Sequence, residues 1–204
     1  MTSLYYCRTS ISEAAMHFDA IAPAHAQWSS ELRPGRTGLV ITRGDAGRVV
    51  APMRWGLPAS AFPASGRKGV GRTTLWFREL WGRDRALFAP AHRCLVVLDC
   101  FALPEGASGK RTRCHYGLDD QPIFGWAGVW LRTQAGSGYA GFVGSVNAAD
   151  GRCAPEPMLL GPHEYEAWFG DDISAAAEIV SRLDPLPGLY REYTDIPWGA
   201  DRES

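Results

Sequence analysis

The 204-residue sequence has no run of about 18 uncharged apolar residues, the shortest length that spans a membrane as a helix. Its first ten residues also lack the basic and then apolar segments of a signal peptide. These absences predict a soluble, cytoplasmic protein without a membrane partner. Because 46% of the residues are hydrophobic and 21% are charged, we expect a single domain, residues 1–204, with a packed core.

Cysteine is scarce, and its spacing is irregular. The chain has five cysteines, none in a CxxC pair, and an odd number cannot all be joined in disulfides. The pattern favours reduced, buried thiols over a disulfide framework or a zinc site. No metal ion and no cofactor are expected. The cysteines are Cys7, Cys94, Cys100, Cys114 and Cys153.

Motifs of the common enzyme classes are also missing. The sequence has no GxSxG, HExxH, P-loop or GxGxxG motif. Cys100 and His115 could form a nucleophilic pair, but among five cysteines and five histidines one such pair arises by chance. The aspartate pairs at 119–120 and 171–172 fit a turn and a helix start better than acid–base catalysis.

The net charge is only −1, yet basic and acidic residues are separated along the chain. Residues 1–115 contain 16 Lys and Arg against 8 Asp and Glu, whereas residues 116–204 contain 5 against 14. This separation allows an anion-binding groove in the basic region 67–115. The alternative is that both halves mix in one fold and their charges interleave. A loop at 56–72, rich in Pro, Gly, Ser and Ala, carries Arg67, Lys68 and Arg72.

Local patterns predict helices and strands. Ser10 followed by Glu13 is a capping-box signature that opens a short helix. Residues 38–43 and 47–55 are predicted to form two strands joined at Gly44-Asp45. The apolar run 92–103 predicts a single strand in the centre of a sheet.

Further strands are predicted near 113–118, 122–130 and 139–147, followed by helices within 161–170 and 171–185. Together the elements predict an α+β fold with a largely antiparallel, partly closed β-sheet or barrel core and flanking helices. Most of the eight tryptophans are expected to pack in the core and at its rim.

The second residue is a candidate nucleophile. Met1 is usually removed when the next residue is small, as Thr2 is. A free α-amine has a pKa of about 7.7–8.0, so roughly 10–20% of it is unprotonated at pH 7. Thr2 could act through its amine, or through its hydroxyl as an N-terminal Thr hydrolase. The alternative is a frayed, inert terminus.

Five segments of the chain match one known pattern in order. They are MTSLYYCRTSISEAAMHF (1–18), APMRWGLP (51–58), HRCLVVLDCFALPEG (92–106), PIFGWAGVW (122–130) and PMLLGPHEYEAWF (157–169). Together they resemble the SOS-response-associated peptidase (SRAP) family of the DNA damage response, in its phage-type form. The resemblance covers most of the chain and implies the fold of that family.

The resemblance also implies recognition of abasic sites in single-stranded DNA. In the family, the amine of an N-terminal Cys attacks the sugar aldehyde to form an imine, and its thiol closes a stable thiazolidine. An Asn and an Arg bind DNA, a Glu and a His support proton transfer, and a Trp and a Pro wedge against bases. The resemblance implies DNA-binding roles for Pro34, Trp55 and either Arg72 or Arg78 as the family Arg, and the basic loop adds Arg67 and Lys68 as expected DNA-binding residues.

This sequence departs from the family at the reactive positions. The reactive Cys of the family aligns with Thr2, and its Glu aligns with Leu103. Its His aligns with Arg152 or Cys153. The family Asn has no counterpart, since Asn147 is the only asparagine. Each lost proton carrier is typically worth 10²–10⁴ in rate, and an oxazolidine closed by the Thr2 hydroxyl hydrolyses more readily than a thiazolidine.

We therefore expect a divergent SRAP-like protein that binds single-stranded or abasic DNA. Its stable DNA–protein crosslinking is expected to be lost or reduced to a transient imine at Thr2. Two alternatives are a pseudoenzyme that serves as an interaction module without DNA binding, and an N-terminal Thr hydrolase.

Overall fold

The computed structural model describes residues 4–58, 71–134, 136–147, 153–182 and 188–200. The strands in these ranges are β1 (Tyr5–Tyr6), β2 (Ala20–Ile21), β3 (Glu31–Leu32), β4 (Thr37–Gly44), β5 (Gly47–Trp55), β6 (Thr74–Trp76), β7 (Arg93–Leu98), β8 (Cys100–Glu105), β9 (Thr112–Leu118), β10 (Phe124–Thr133), β11 (Gly136–Asn147), β12 (Cys153–Pro157), β13 (Leu159–Leu160) and β14 (Leu189–Pro197). The α-helices are α1 (Ile11–His17), α2 (Phe77–Arg83), α3 (Tyr165–Phe169) and α4 (Ile173–Ser181).

Five of the strands close into a barrel. The order β5-β4-β7-β10-β11 is antiparallel throughout, and β11 then pairs in parallel with β5. Closure removes the unpaired edges that an open sheet would expose. The predicted α+β class with a largely antiparallel, partly closed barrel is confirmed.

A second, antiparallel sheet has the order β14-β9-β8-β1-β3. The predicted single strand over 92–103 is wrong, because β7 lies in the barrel and β8 lies in this second sheet. The chain passes from one sheet to the other at Asp99. The Asp99 N–H donates to the Tyr6 carbonyl over 3.0 Å, and its carboxylate accepts the Arg8 N–H over 2.5 Å. Asp99 therefore fixes the N-terminal strand at this junction.

The short-range predictions are confirmed. The Ser10 hydroxyl accepts the Glu13 N–H over 3.2 Å, and the Glu13 carboxylate accepts the Ser10 N–H over 2.8 Å, which completes the capping box of α1. Strands β4 and β5 form the expected hairpin, with Gly44 paired to Gly47. Among the described residues, no helix has the length and apolar character needed to cross a membrane.

The large apolar core is rich in aromatic rings in close contact. Trp126 is fully buried, and its indole N–H donates to the Phe142 carbonyl over 2.6 Å. The ring fits only because residue 141 is glycine, since a Cβ there would overlap the indole. The packing of the barrel interior therefore depends on a small residue facing a large one.

We expect Gly141→Ala to lower the free energy of unfolding by about 1–3 kcal/mol, because the extra methyl group overpacks the Trp126 site. Gly82→Ala is the control. Gly82 lies in α2 with open space around its Cβ position, so alanine there is expected to be neutral or to stabilise by up to about 1 kcal/mol. Urea unfolding of the two variants measures the difference, and equal midpoints would contradict the packing described.

Candidate functional site

The start of the described chain lies beside the strand that carries Leu103. The Ala102 N–H donates to the Leu4 carbonyl over 3.0 Å, and Tyr5 pairs with Phe101. Leu103 is only 4% exposed and belongs to the large apolar core. The position that matches the family Glu therefore lies next to the N-terminal strand, but it offers no proton. Thr2 itself lies outside the described residues.

Trp55 packs in the core and has no exposed face for a nucleic-acid base. It is 0% exposed, and its ring lies 5.0 Å from the Tyr5 ring and 6.0 Å from the Trp126 ring in edge-on contacts. Its indole N–H donates to the Thr73 carbonyl over 2.9 Å. The expectation that Trp55 wedges against bases is corrected, because every face of its ring is in contact with protein.

Pro34 is exposed in a turn that lies directly against the backbone of Trp55. The Gly35 N–H donates to the Trp55 carbonyl, and the Trp55 N–H donates to the Arg36 carbonyl, both over 2.8 Å. Gly35 has φ +89°, a left-handed conformation that favours glycine. The structure thus brings Pro34 and Trp55 together, with the proline at the surface and the indole inside.

Two arginines beside this turn were missed by sequence reasoning. Arg36 and Arg54 are exposed, and the Arg54 guanidinium lies against Gly35. Neither has an acidic partner in the part of the chain that the structure describes. They are separated by 18 positions in sequence and meet because β4 and β5 pair, with Thr37 opposite Arg54. The Arg-Pro-Gly-Arg turn at 33–36 was the sequence signal that could have indicated them.

Arg72 reaches the same end of the barrel. Its carbonyl accepts the Leu57 N–H over 2.9 Å, two residues after Trp55. Its side chain forms an ion pair with Glu79 of α2 at 3.2 Å, so part of its charge is neutralised. Arg78 is exposed on α2. We call the surface formed by Pro34, Arg36, Arg54 and Arg72 the arginine rim. The predicted residues Arg67 and Lys68 lie outside the described residues.

The charge of the basic region 67–115 is not all at the surface. Arg93 is fully buried, with its guanidinium donating to the Phe88 and Trp168 carbonyls. Arg113 is 4% exposed, donates to the Tyr6 hydroxyl over 3.2 Å and lies 3.7 Å from Glu31. These two arginines hold the fold together and are not available to phosphates, so the expected groove contains less positive charge than the sequence implied.

One carboxylate lies near the apolar Leu103 position, and a second lies close enough to the first to interact with it electrostatically. Glu105 follows Leu103 by two residues and accepts the Tyr116 O–H over 3.2 Å. Strand geometry places it on the same face as Leu103, roughly 7 Å further along. Glu156 of β12 is 8% exposed, and burial raises the pKa of its carboxyl, an effect that Arg191 opposes and Glu105 reinforces. Of the two positions proposed for the family His, Cys153 begins β12 and Arg152 is not described.

A metal centre finds no support in the described ranges, where no three Cys, His, Asp or Glu residues form a group that could hold an ion. Cys100 and His115 lie on the same face of the second sheet, with His115 paired to Ala102. Burial raises the pKa of Cys100 to about 11 and lowers the pKa of His115. The pair is therefore a neutral thiol and a neutral imidazole at pH 7, without the activated thiolate of a cysteine nucleophile.

The thiols are expected to react slowly. Cys7, Cys94, Cys100 and Cys114 are free and buried, and burial raises the pKa of Cys7 to about 12. In a Cys153→Ala variant, which keeps only these four, a disulfide reagent at pH 8 should modify the folded protein at least about 100-fold more slowly than the unfolded protein. Rapid modification of the folded variant would show that one of these thiols is accessible.

Three crystal structures are similar to this chain in fold. The first is a protein from Bordetella bronchiseptica, with a TM-score of 0.74 and 20% identity over 94% of this chain and 99% of that chain. A phage-related protein from the same organism has a TM-score of 0.72 and 16% identity over 94% and 93%. A protein from Bacteroides thetaiotaomicron has a TM-score of 0.74 and 13% identity over 93% and 90%. No family model matches the sequence, and no curated protein matches it.

Proposed function

We propose that this protein is a divergent SRAP-like protein that binds single-stranded DNA. At an abasic site, its Thr2 amine is proposed to form a transient imine with the sugar aldehyde. The observation that carries the proposal is that the N-terminal strand packs on Trp55, whose backbone in turn holds part of the arginine rim. Tyr5 packs on Trp55, and the backbone of Trp55 holds the turn that presents Pro34. Exposed arginines close to the strand that follows the N-terminus suit a ligand with phosphates, and the Thr2 amine suits one that also carries an aldehyde.

The similarity in fold supports the proposal at a coarser level. One of the similar structures is described as a phage-related protein, and the sequence resembles the phage-type form of the SRAP family. At 13–20% identity these structures support a shared fold alone.

The proposed chemistry follows from the residues at the site. The Thr2 amine adds to the aldehyde carbon of the opened sugar, and the carbinolamine loses water to give an imine. The Thr2 hydroxyl can add to the imine carbon and close an oxazolidine, but this ring reopens in water. Leu103 supplies no proton to any of these steps, and Glu105 is displaced from that position by roughly 7 Å. We therefore expect formation of the imine to be slow and reversible.

The arginine rim is proposed to hold the phosphates. Exposed guanidiniums bind a single strand by releasing counterions, so affinity falls as salt rises, with a slope of roughly 0.7 per phosphate contact. Trp55 does not stack on the strand, because it is buried. Contacts with bases would fall to exposed groups such as Pro34.

Binding is tested with a labelled single-stranded oligonucleotide, with and without one abasic site, across a salt series. Arg36→Ala and Arg54→Ala should each weaken binding and reduce the salt slope by about one contact. Arg43→Ala is the matched control, because Arg43 lies at the other end of the same hairpin, roughly 20 Å from Arg54. Absence of salt-dependent binding would overturn the proposal and favour an interaction module without DNA binding.

A further inference from the structure

A polar cleft lies on the face of the second sheet that points away from the barrel. Its volume is about 470 Å³. It is bounded by the segment between β1 and α1, the start of β8, strands β9 and β14, and the turn at 118–123. The polar side chains that matter here are Arg8, Asp99, His115, Gln121 and Glu192.

Three side chains of this wall hold a polar atom that is shielded from solvent and unpartnered. These atoms are Asp99 Oδ1, His115 Nε2 and Gln121 Oε1, for which the described residues provide no hydrogen bond. Asp99 uses only its other oxygen, which accepts the Arg8 N–H. The Asp99 and Gln121 oxygens are acceptors, and a buried acceptor without a donor is unfavourable, so a ligand with N–H groups would relieve that penalty at two points.

The charge around the cleft favours a cation. Asp99, Glu192 and Glu13 contribute carboxylates, against one guanidinium from Arg8. His115 adds no positive charge at neutral pH because burial lowers its pKa, although Glu192 opposes the shift. This balance is the opposite of that at the arginine rim, so a phosphate-bearing strand is disfavoured here.

Arg8 shows how a guanidinium is accommodated at the mouth of the cleft. Its Cζ lies 4.6 Å from the centre of the Tyr6 ring, and its Nη1 lies 3.9 Å from Asp99 Oδ1, too far for a hydrogen bond. The side chain is 60% exposed. A planar cation is thus already held against an aromatic face and a carboxylate, in a loose arrangement that leaves Asp99 Oδ1 unsatisfied.

A second polar cleft, lined by the β4–β5 hairpin and α3, provides a contrast. Its volume is about 620 Å³, but each of its two arginines pairs with a carboxylate. Arg43 lies 2.8 Å from Asp171, and Arg48 pairs with Glu166. Size and polarity alone therefore do not single out a ligand site. Unpartnered acceptors distinguish the cleft at Asp99.

We propose that the cleft at Asp99 binds a guanidinium group, carried either by a small molecule or by an arginine side chain of a peptide. The guanidinium is planar and presents five N–H donors, which suits several separate acceptors better than a compact ammonium ion does. It would take the place of the Arg8 guanidinium at the mouth, which brings its N–H groups to Asp99 Oδ1 and toward Gln121 Oε1, and it would lie near Tyr190, which is 38% exposed at the cleft. The site is independent of the DNA-binding proposal.

The test uses methylguanidinium, methylammonium and the tripeptide glycyl-arginyl-glycinamide as probes at constant ionic strength, with binding followed by NMR shifts. Methylguanidinium should saturate at concentrations on the order of millimolar and bind more tightly than methylammonium. Tighter binding of the tripeptide would identify a peptide arginine as the source, and equal binding would identify a small molecule. Equal, non-saturating shifts from all three probes would overturn the proposal.

Two substitutions with opposite expected effects separate a specific site from a general loss of structure. Asp99→Asn should weaken methylguanidinium binding at least tenfold, because it removes the charge and one acceptor. Arg8→Ala should strengthen binding severalfold, because it removes a competing cation at the mouth. Asp45→Asn, in the hairpin of the other cleft, should leave affinity unchanged. If Arg8→Ala weakens binding, or if Asp45→Asn weakens it as much as Asp99→Asn does, the proposal fails.

Discussion

Thr2→Cys is expected to convert a protein that forms no lasting bond with abasic DNA into one that forms a stable crosslink. The variant presents an amine and a thiol on the same residue once Met1 is removed. After the amine has formed the imine, the thiol adds to the imine carbon and closes a thiazolidine, which resists hydrolysis. The crosslinked fraction on a denaturing gel without reductant should rise from undetectable to a clear band, at least about a 100-fold gain.

Crosslinking by Thr2→Cys should still be slow. Leu103 supplies no proton, and a positioned acid or base typically contributes 10²–10⁴ in rate. Thr2→Ser is the matched control, because it keeps a hydroxyl and should form no stable crosslink. Cys7 cannot substitute for the new thiol, since it is fully buried. A stable crosslink formed equally well by the unmodified protein would contradict the assignment of Thr2 as the limiting residue.

Trp55→Ala is expected to lower the free energy of unfolding by about 3–5 kcal/mol, a large part of the stability of a domain of this size. The substitution removes a fully buried indole that packs on Tyr5 and Trp126, and it leaves the Thr73 carbonyl with the Gly141 N–H, 3.2 Å away, as its donor. The destabilisation should appear in urea unfolding without any DNA present.

Tyr193→Ala provides the aromatic control, because Tyr193 is 69% exposed and its loss should change stability by no more than about 0.5 kcal/mol. Under conditions in which Trp55→Ala remains folded, its affinity for single-stranded DNA should be close to that of the unmodified protein. Unchanged stability with a large loss of DNA affinity would show that Trp55 contacts bases after all.

The elements that sequence predicted well are those set by neighbouring residues. The capping box of Ser10 and Glu13 and the hairpin at Gly44-Asp45 each depend on a few adjacent positions. The break at Asp99 was missed because it lies inside a continuous apolar run, and the reason for it is a contact with the N-terminal strand. Strand β14 was missed because both of its faces are largely exposed, which leaves no alternating pattern.

The candidate site was predicted only in part, because a motif gives a position in the chain but not the direction of a side chain. Trp55 lies next to Pro34 as the resemblance implies, yet its ring points into the core. The count of charges along the chain also overestimated the positive charge available to a ligand, since Arg93 and Arg113 are buried. Arg36 and Arg54 could be recognised as neighbours on one surface only once the pairing of β4 with β5 was known.

Reductive trapping tests the transient imine at Thr2 most directly. Protein whose intact mass confirms loss of Met1 is incubated with a single-stranded oligonucleotide containing one abasic site, with and without borohydride. We predict a covalent band only with borohydride, with the adduct mapped to the Thr2 amine and abolished by prior acetylation of that amine. Failure to trap any adduct, an adduct on Lys68 or Lys110, or a band that survives denaturation without reductant would contradict the proposal.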